Sequence, residues 1–178
     1  MFSSVCRYLC AFRHRDSANV NNDADADVDT DANTLDSTIA YKDTIPFVPP
    51  ITSGVVVKVY DGDTITIASK LPCQDSPLYR FSVRLAGIDC PEIKGKLATE
   101  RKCAVLAKAE VSKLCLGKQV TLQNVGTEKY GRILANVYTP DGLHINQYML
   151  EKRLAVAYDG GRKLCPKNWM NYYQQGCK

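Results

Sequence analysis

Two short β-rich segments joined by a tight turn constrain the fold of this chain more than any other feature of its sequence. Residues 54–60, GVVVKVY, and residues 63–69, DTITIAS, alternate apolar and polar side chains, as half-buried strands do. Between them stands Asp61-Gly62, a dipeptide typical of hairpin turns. The sequence therefore predicts an antiparallel hairpin with its turn at this dipeptide.

Further β-rich segments follow, with helical segments placed among and after them. Three more strands are predicted at residues 80–88, 118–125 and 131–139. Apolar groups at helical spacing predict helices at residues 98–115 and 145–158, and residues 166–178 hold a short third helix. Five short strands with late helices predict an α+β fold, a five-stranded OB-fold-type β-barrel with about three helices.

The first 50 residues differ in composition from the rest of the chain. Residues 16–44 are rich in Asp and small side chains, so they cannot bury enough apolar surface to offset their ordering entropy. We expect residues 1–50 to form a disordered acidic N-terminal tail and residues 51–178 to form the folded domain. Prolines within residues 46–50 mark the boundary.

Charge is divided in the same way. The tail holds eight Asp and four Lys or Arg, a net charge of −4, whereas residues 51–178 hold 19 basic and 11 acidic groups, a net charge of +8. A domain of this charge attracts polyanions such as nucleic acid or an acidic membrane surface. A soluble domain that happens to be basic, without binding a polyanion, is the alternative.

Residues 1–15 mix apolar, aromatic and basic side chains with Cys6 and Cys10. This composition is compatible with a weak membrane or partner anchor through acylated cysteines, although a frayed terminus is the plainer explanation. We see no signal-peptide pattern and no apolar run of membrane-spanning length, so we expect an intracellular setting, with peripheral membrane association as the variant. We infer no obligate protein partner and expect a monomer.

Three segments place charged side chains at the ends of predicted strands. In Asp61-Gly62-Asp63-Thr64, the turn explains the first two residues but not a second Asp inside the next strand, where Asp is disfavoured. Residues 128–132, EKYGR, form a turn that leads into a strand beginning at Arg132. Each of these two segments alone indicates little more than a hairpin.

The remaining segment, RLAGIDCPE at residues 84–92, places Arg84 inside an apolar strand that ends in Asp89 and Glu92. A buried arginine needs anions, and a salt bridge to a nearby acid explains it as well as a functional role does. Strict alternation puts Arg84 and Asp89 on opposite faces. A bulge at Gly87, or a strand that ends before Asp89, is needed to bring them together.

Taken together, these side chains suit phosphate chemistry. Carboxylate oxygens are ligands for Ca²⁺ or Mg²⁺, arginine presents a planar fork to phosphate, and a spare glutamate can act on an attacking water. The sequence has only two histidines, His14 and His144, so a histidine-driven nuclease or a Ser/His/Asp hydrolase is hard to assemble.

The motifs DGDT at 61–64, RLAGIDCPE at 84–92 and EKYGR at 128–132, in this order and spacing, resemble those of the staphylococcal nuclease-like (thermonuclease) family. The resemblance runs from about residue 54 to residue 158. It implies a nuclease that uses one Ca²⁺, hydrolyses DNA and RNA with little sequence specificity and leaves 3′-phosphates. Because the same barrel serves in some relatives as a binding domain, a non-catalytic nucleic-acid or protein-binding OB-fold module is the alternative.

The resemblance also implies roles for individual residues. As metal ligands it implies Asp63 and Asp89 through their carboxylates, and Cys90 through its main-chain oxygen. As catalytic residues it implies Glu92 as the general base, and Arg84 and Arg132 as ligands of the scissile phosphate. Around them, Asp61 would support the ligands, and Tyr130 and Tyr158 would contact phosphate or stack on a base, or serve as barrel-edge aromatics.

The sequence departs from the family pattern in two respects. Cys90 stands where threonine is usual, which a main-chain ligand should tolerate. The loop at residues 71–79 is long and the loop from Glu92 to the first helix is short, so the preference for strand, ends or substrate stays open.

Overall fold

The computed structural model describes residues 37–175, so most of the predicted acidic tail lies outside it, including the anchor proposed for residues 1–15. Residues 37–50 are exposed except for the half-buried Pro49, and they contain one 3-10 helix, Tyr41–Asp43. No helix within residues 37–175 is long and apolar enough to cross a membrane.

A closed five-stranded barrel forms the centre of the described domain, in the strand order β1-β2-β3-β6-β5. Strands β3 and β6 are parallel, and the other neighbouring pairs are antiparallel. The strands are β1 (Ser53–Val59), β2 (Thr64–Ser69), β3 (Tyr79–Leu85), β4 (Ile88–Asp89), β5 (Gln119–Thr127), β6 (Ile133–Tyr138) and β7 (Val156–Ala157). The helices are α1 (Ala98–Cys115), α2 (Ile145–Glu151) and α3 (Trp169–Gln174). The predicted α+β barrel with three helices is confirmed.

The predicted hairpin forms between β1 and β2, and Gly62 lies in its tightly packed turn. A Cβ atom at Gly62 would lie 2.7 Å from the Cβ of Ala107 in α1 and 2.8 Å from the Sγ of Cys90. Glycine is therefore the residue that lets the turn approach both α1 and the segment that follows β4.

Helix α1 has the predicted bounds, residues 98–115. Its buried positions form one stripe of small and medium side chains, which lets the helix approach β1 and α3 closely. The residues of this stripe are Cys103, Ala104, Ala107, Val111 and Cys115.

The second helix is shorter than predicted. It ends at Glu151 rather than at residue 158, and Arg153 adopts a left-handed conformation with φ of 53°. The apolar residues beyond Glu151 that suggested a longer helix are the buried Leu154 and Ala155 and the residues of strand β7, which pairs with β4. Short apolar runs of this kind do not distinguish strand from helix.

Candidate active site

The strand that carries Arg84 ends one residue later, at Leu85. A turn follows, with Gly87 at φ of 75°, and the chain then enters β4. This confirms that the strand ends before Asp89, and it brings the Nη2 atom of Arg84 to 3.0 Å from the Oδ1 atom of Asp89. A left-handed glycine lets the chain turn without strain and places both side chains on one side.

Asn146, a buried residue of α2, holds this turn in place through hydrogen bonds. Its Nδ2 atom donates to the main-chain oxygens of Ala86 at 2.8 Å and Ala135 at 3.2 Å. Its Oδ1 atom accepts from the main-chain N–H of Val137 at 3.0 Å. The amide thereby ties α2 and β6 to the loop between Arg84 and Asp89.

Arg84 is buried and bridges two carboxylates. Its Nη1 atom pairs with Oδ1 of Asp63, and its Nη2 atom pairs with Asp89 and also donates to the main-chain oxygen of Ile88 at 3.1 Å. Burial alone would lower the pKa of Arg84, but the charges of Asp63 and Asp89 outweigh it and raise the pKa. The guanidinium therefore stays charged, and the salt bridge that the sequence left open is present.

Asp63 connects the first two motifs. Besides pairing with Arg84, it accepts from the main-chain N–H of Cys90 at 3.0 Å and from the hydroxyl of Thr64 at 2.9 Å. Burial favours a neutral carboxyl, but the charge of Arg84 and these hydrogen bonds lower the pKa of Asp63 overall. Asp63 is therefore ionised at neutral pH.

Asp61 is a partly buried carboxyl that lies close to a second carboxyl, that of Asp63. Burial, followed by the charge of Asp63, raises the pKa of Asp61 to about 6. Its Oδ1 atom accepts from the main-chain N–H of Asp63 at 3.3 Å, which keeps the two carboxyl groups close.

Arg132 enters the same region from the start of β6. Its Nε atom donates to Glu128 at 2.8 Å, and its Nη1 atom lies 3.4 Å from the hydroxyl of Thr64. The hydrogen bond from Arg132 lowers the pKa of Glu128, so this pair is charged. The ring of the exposed Tyr130 lies beside this pair, 5.9 Å from the Cζ atom of Arg132 and 5.0 Å from the Nζ atom of Lys129.

A cavity of about 350 Å³ at this end of the barrel brings the three motifs together. Its lining includes every residue to which the sequence assigned a metal or catalytic role: Asp63, Arg84, Asp89, Cys90, Glu92 and Arg132. Asp61, Tyr130 and Tyr158 line it as well. The cavity can therefore hold a negatively charged group between two arginines and several carboxylates.

Comparison with known proteins places this arrangement in a family. Residues 82–175 match the family described as "Staphylococcal nuclease homologue". The chain belongs to this family. The matched residues include the motifs at 84–92 and 128–132, whereas the motif at 61–64 lies before them.

Several curated relatives of this chain are named as nucleases or endonucleases. An "Uncharacterized endonuclease" of Escherichia coli is 35% identical over 109 residues, which cover 60% of this chain and 61% of that protein. A "Probable endonuclease" of Schizosaccharomyces pombe is 31% identical over 135 residues, 64% of this chain and 59% of that protein. The "Staphylococcal-like nuclease CAN1" of Arabidopsis thaliana is 33% identical over 99 residues, 54% of this chain and 28% of that protein. The chain spans about three fifths of the length of the first two.

Lys163 is a charged residue of the cavity that lies outside the three motifs. Lys163, in the loop after β7, places its Nζ atom 2.9 Å from Oδ1 of Asp89 and 3.0 Å from Oε1 of Glu92. Partial burial would lower the pKa of Lys163, but its hydrogen bonds to these two carboxylates raise it. The sequence analysis missed this lysine, because a basic residue in a glycine-rich loop has no spacing that points to a particular site.

Proposed function

We propose that the protein is a calcium-dependent nuclease that hydrolyses phosphodiester bonds of DNA and RNA with little sequence specificity and leaves 3′-phosphates. The observation that carries the proposal is the cavity in which Arg84 and Arg132 face the carboxylates of all three motifs. The nuclease and endonuclease names of the relatives support the same activity.

The donor set fits one divalent cation. Within residues 37–175 no three His, Cys, Asp or Glu side chains form a metal cage, so an ion would need an open site that is completed by main chain and water. Four ionisable carboxyl groups, those of Asp61, Asp63, Asp89 and Glu92, line the cavity with Arg84 and Lys163, while Arg132 is paired with Glu128. With Glu128, Lys129 and Arg132 included, five acidic and four basic side chains line the cavity, which leaves a net charge of −1.

In this proposal Asp63 and Asp89 bind the ion through their carboxylates, and Cys90 binds it through its main-chain oxygen. Carboxylate and main-chain oxygens are the ligands that Ca²⁺ prefers in proteins. When bound, the ion supplies positive charge close to the phosphate and favours ionisation of a neighbouring water.

In this proposal Glu92 acts as the general base. Its side chain is 59% exposed at the cavity rim, where a water can approach it. It removes a proton from the attacking water as the new oxygen–phosphorus bond forms. The bond from phosphorus to the 5′ oxygen breaks, this oxygen takes up a proton from bulk water, and the phosphate remains on the 3′ side.

The two arginines stabilise the phosphate while its charge increases. Arg84 is held in a fixed orientation by Asp63 and Asp89, so its guanidinium is preorganised. Arg132 is half-buried and lines the cavity, with its Nε atom bound to Glu128 and its Nη1 atom 3.4 Å from the hydroxyl of Thr64. Planar guanidinium groups suit the oxygens of a phosphodiester.

Exposed aromatic rings around the cavity explain low sequence specificity. Tyr130 is 72% exposed beside Lys129, and Tyr60 is 58% exposed with the Nζ atom of Lys58 at 5.9 Å from its ring. Bases of any identity stack on such rings, while lysines attract the backbone. Single strands therefore suit this surface.

Analysis of the products tests the proposed reaction. Single-stranded DNA and RNA of matched, mixed sequence are incubated with the purified protein and Ca²⁺, and the fragment ends are identified by mass. We expect cuts after all four bases and fragments with 3′-phosphate and 5′-hydroxyl ends. Fragments with 5′-phosphates would contradict the proposed direction of bond breaking, and binding without any fragments would favour the binding module.

A further inference from the structure

Among residues 37–175, Lys163 is the lysine whose ammonium contacts the carboxylates of the proposed metal ligand and the proposed base. It contacts Asp89, the proposed metal ligand, and Glu92, the proposed base, at 2.9 and 3.0 Å. Its side chain is 44% exposed and comes from a loop rather than from the barrel. Ion pairs thus hold the Lys163 side chain in place, and the side chain can move away without disturbing the core.

The same oxygen of Asp89 receives two cationic groups. Oδ1 accepts from Arg84 at 3.0 Å and from Lys163 at 2.9 Å. Arg84 is buried and also bound to Asp63, whereas Lys163 is partly exposed and has a long flexible stem. Of these two cations, Lys163 is therefore the one that a metal ion can displace.

We propose that Lys163 is an internal competitor of the divalent ion: its ammonium neutralises Asp89 and Glu92 in the metal-free protein and must move away when the ion binds. This inference rests on the proposed calcium site. Because Arg84 already occupies Oδ1 of Asp89, a dication and the Lys163 ammonium at the same carboxylate would repel each other strongly. Lys163 thereby weakens calcium affinity and limits binding to high calcium concentrations.

Calcium affinity, measured apart from catalysis, tests this role. Isothermal titration with calcium chloride is carried out on the full chain and on Lys163→Met, which keeps an unbranched side chain of similar length and removes its charge. We expect Lys163→Met to bind Ca²⁺ about tenfold more tightly, since the ion no longer displaces an ammonium. Lys163→Arg keeps a cation in place, and we expect its affinity to stay close to that of the wild type.

A matched control separates the effect of the Lys163 contact from the effect of the domain's overall charge. Lys167 is exposed on the same loop, and Lys167→Met removes the same charge from the domain. We expect this variant to bind Ca²⁺ with an affinity within about twofold of the wild type, because exposed charges further away are screened. Circular dichroism without calcium verifies that each variant is folded.

The outcomes distinguish this inference from the proposed function. Equal or weaker calcium binding by folded Lys163→Met, while the wild type binds, would overturn the competitor role and leave the calcium site intact. The same gain in Lys167→Met would also overturn it, since overall charge would then be the cause. Failure of both the wild type and Lys163→Met to bind Ca²⁺ would overturn the calcium site and this inference together.

Discussion

Replacing Arg84 with lysine is expected to slow phosphodiester cleavage by at least about a hundredfold while the barrel stays folded. Lysine keeps a positive charge between Asp63 and Asp89 but replaces the planar fork by a single ammonium. The fork meets both carboxylates at once, so its orientation toward the cavity depends on having two amino groups. Single-turnover cleavage at saturating calcium measures the effect, and urea denaturation measures the stability.

At residue 84, lysine is a more informative substitution than alanine, because alanine is also expected to destabilise the fold. Arg84→Ala leaves the two buried carboxylates without their shared partner, which is expected to lower the free energy of unfolding by about 3–5 kcal/mol. The matched control is Arg80→Lys, the same change at an exposed position of the same strand, which we expect to cleave at the wild-type rate. Wild-type cleavage by a folded Arg84→Lys protein would contradict the role of this arginine.

Replacing Glu92 with glutamine is expected to reduce cleavage at saturating calcium by at least about a hundredfold, since glutamine has nearly the same shape but accepts no proton. The side chain of Glu92 is 59% exposed. Its carboxylate bonds to the ammonium of Lys163. We therefore expect the free energy of unfolding to change by no more than about 0.5 kcal/mol. Pre-steady-state cleavage and urea denaturation measure the two quantities.

Glu151→Gln serves as the comparison for Glu92→Gln. It makes the same chemical change at an exposed position at the end of α2, outside the cavity lining. We expect full activity from it. A Glu92→Gln protein that retained most of its cleavage rate would assign the base to another group and would leave Glu92 with a purely electrostatic role.

Local patterns in the sequence were enough to predict the parts of the fold that depend on local interactions. The dipeptide at residues 61–62 located the β1–β2 turn, and apolar spacing gave both ends of α1. To bring Arg84 and Asp89 together, the sequence allowed either a bulge at Gly87 or a strand that ends before Asp89; the structure has the second, so β3 ends at Leu85 and not at residue 88 as predicted.

Long-range contacts explain what the sequence did not reveal. Asn146 acts on a turn 60 residues away in the chain, and Lys163 reaches Glu92 across 71 residues. No local pattern records such pairings, which depend on how the barrel closes. The end of α2 was wrong for a related reason, since pairing of β7 with β4 overrides helical spacing at residues 156–157.

Cys90 shows how the departure from the family pattern is accommodated. Its main-chain N–H binds Asp63, and its buried thiol lies where a Cβ on Gly62 would contact it. Burial, and then the charges of the nearby aspartates, raises the pKa of this thiol well above its usual value, so the side chain stays neutral. The role proposed for Cys90 therefore depends on its main chain and not on its sulfur.

We propose that this cavity hydrolyses phosphodiester bonds with the help of calcium. The most direct test of this proposal measures cleavage of single-stranded DNA and RNA by the purified wild-type protein, with calcium and then with a calcium chelator. We expect both strands to be cut with calcium, cutting to stop in the chelator, and activity to return when calcium is restored in excess. A folded protein that bound the same strands but left them intact in calcium would contradict the hydrolase and identify the domain as a binding module.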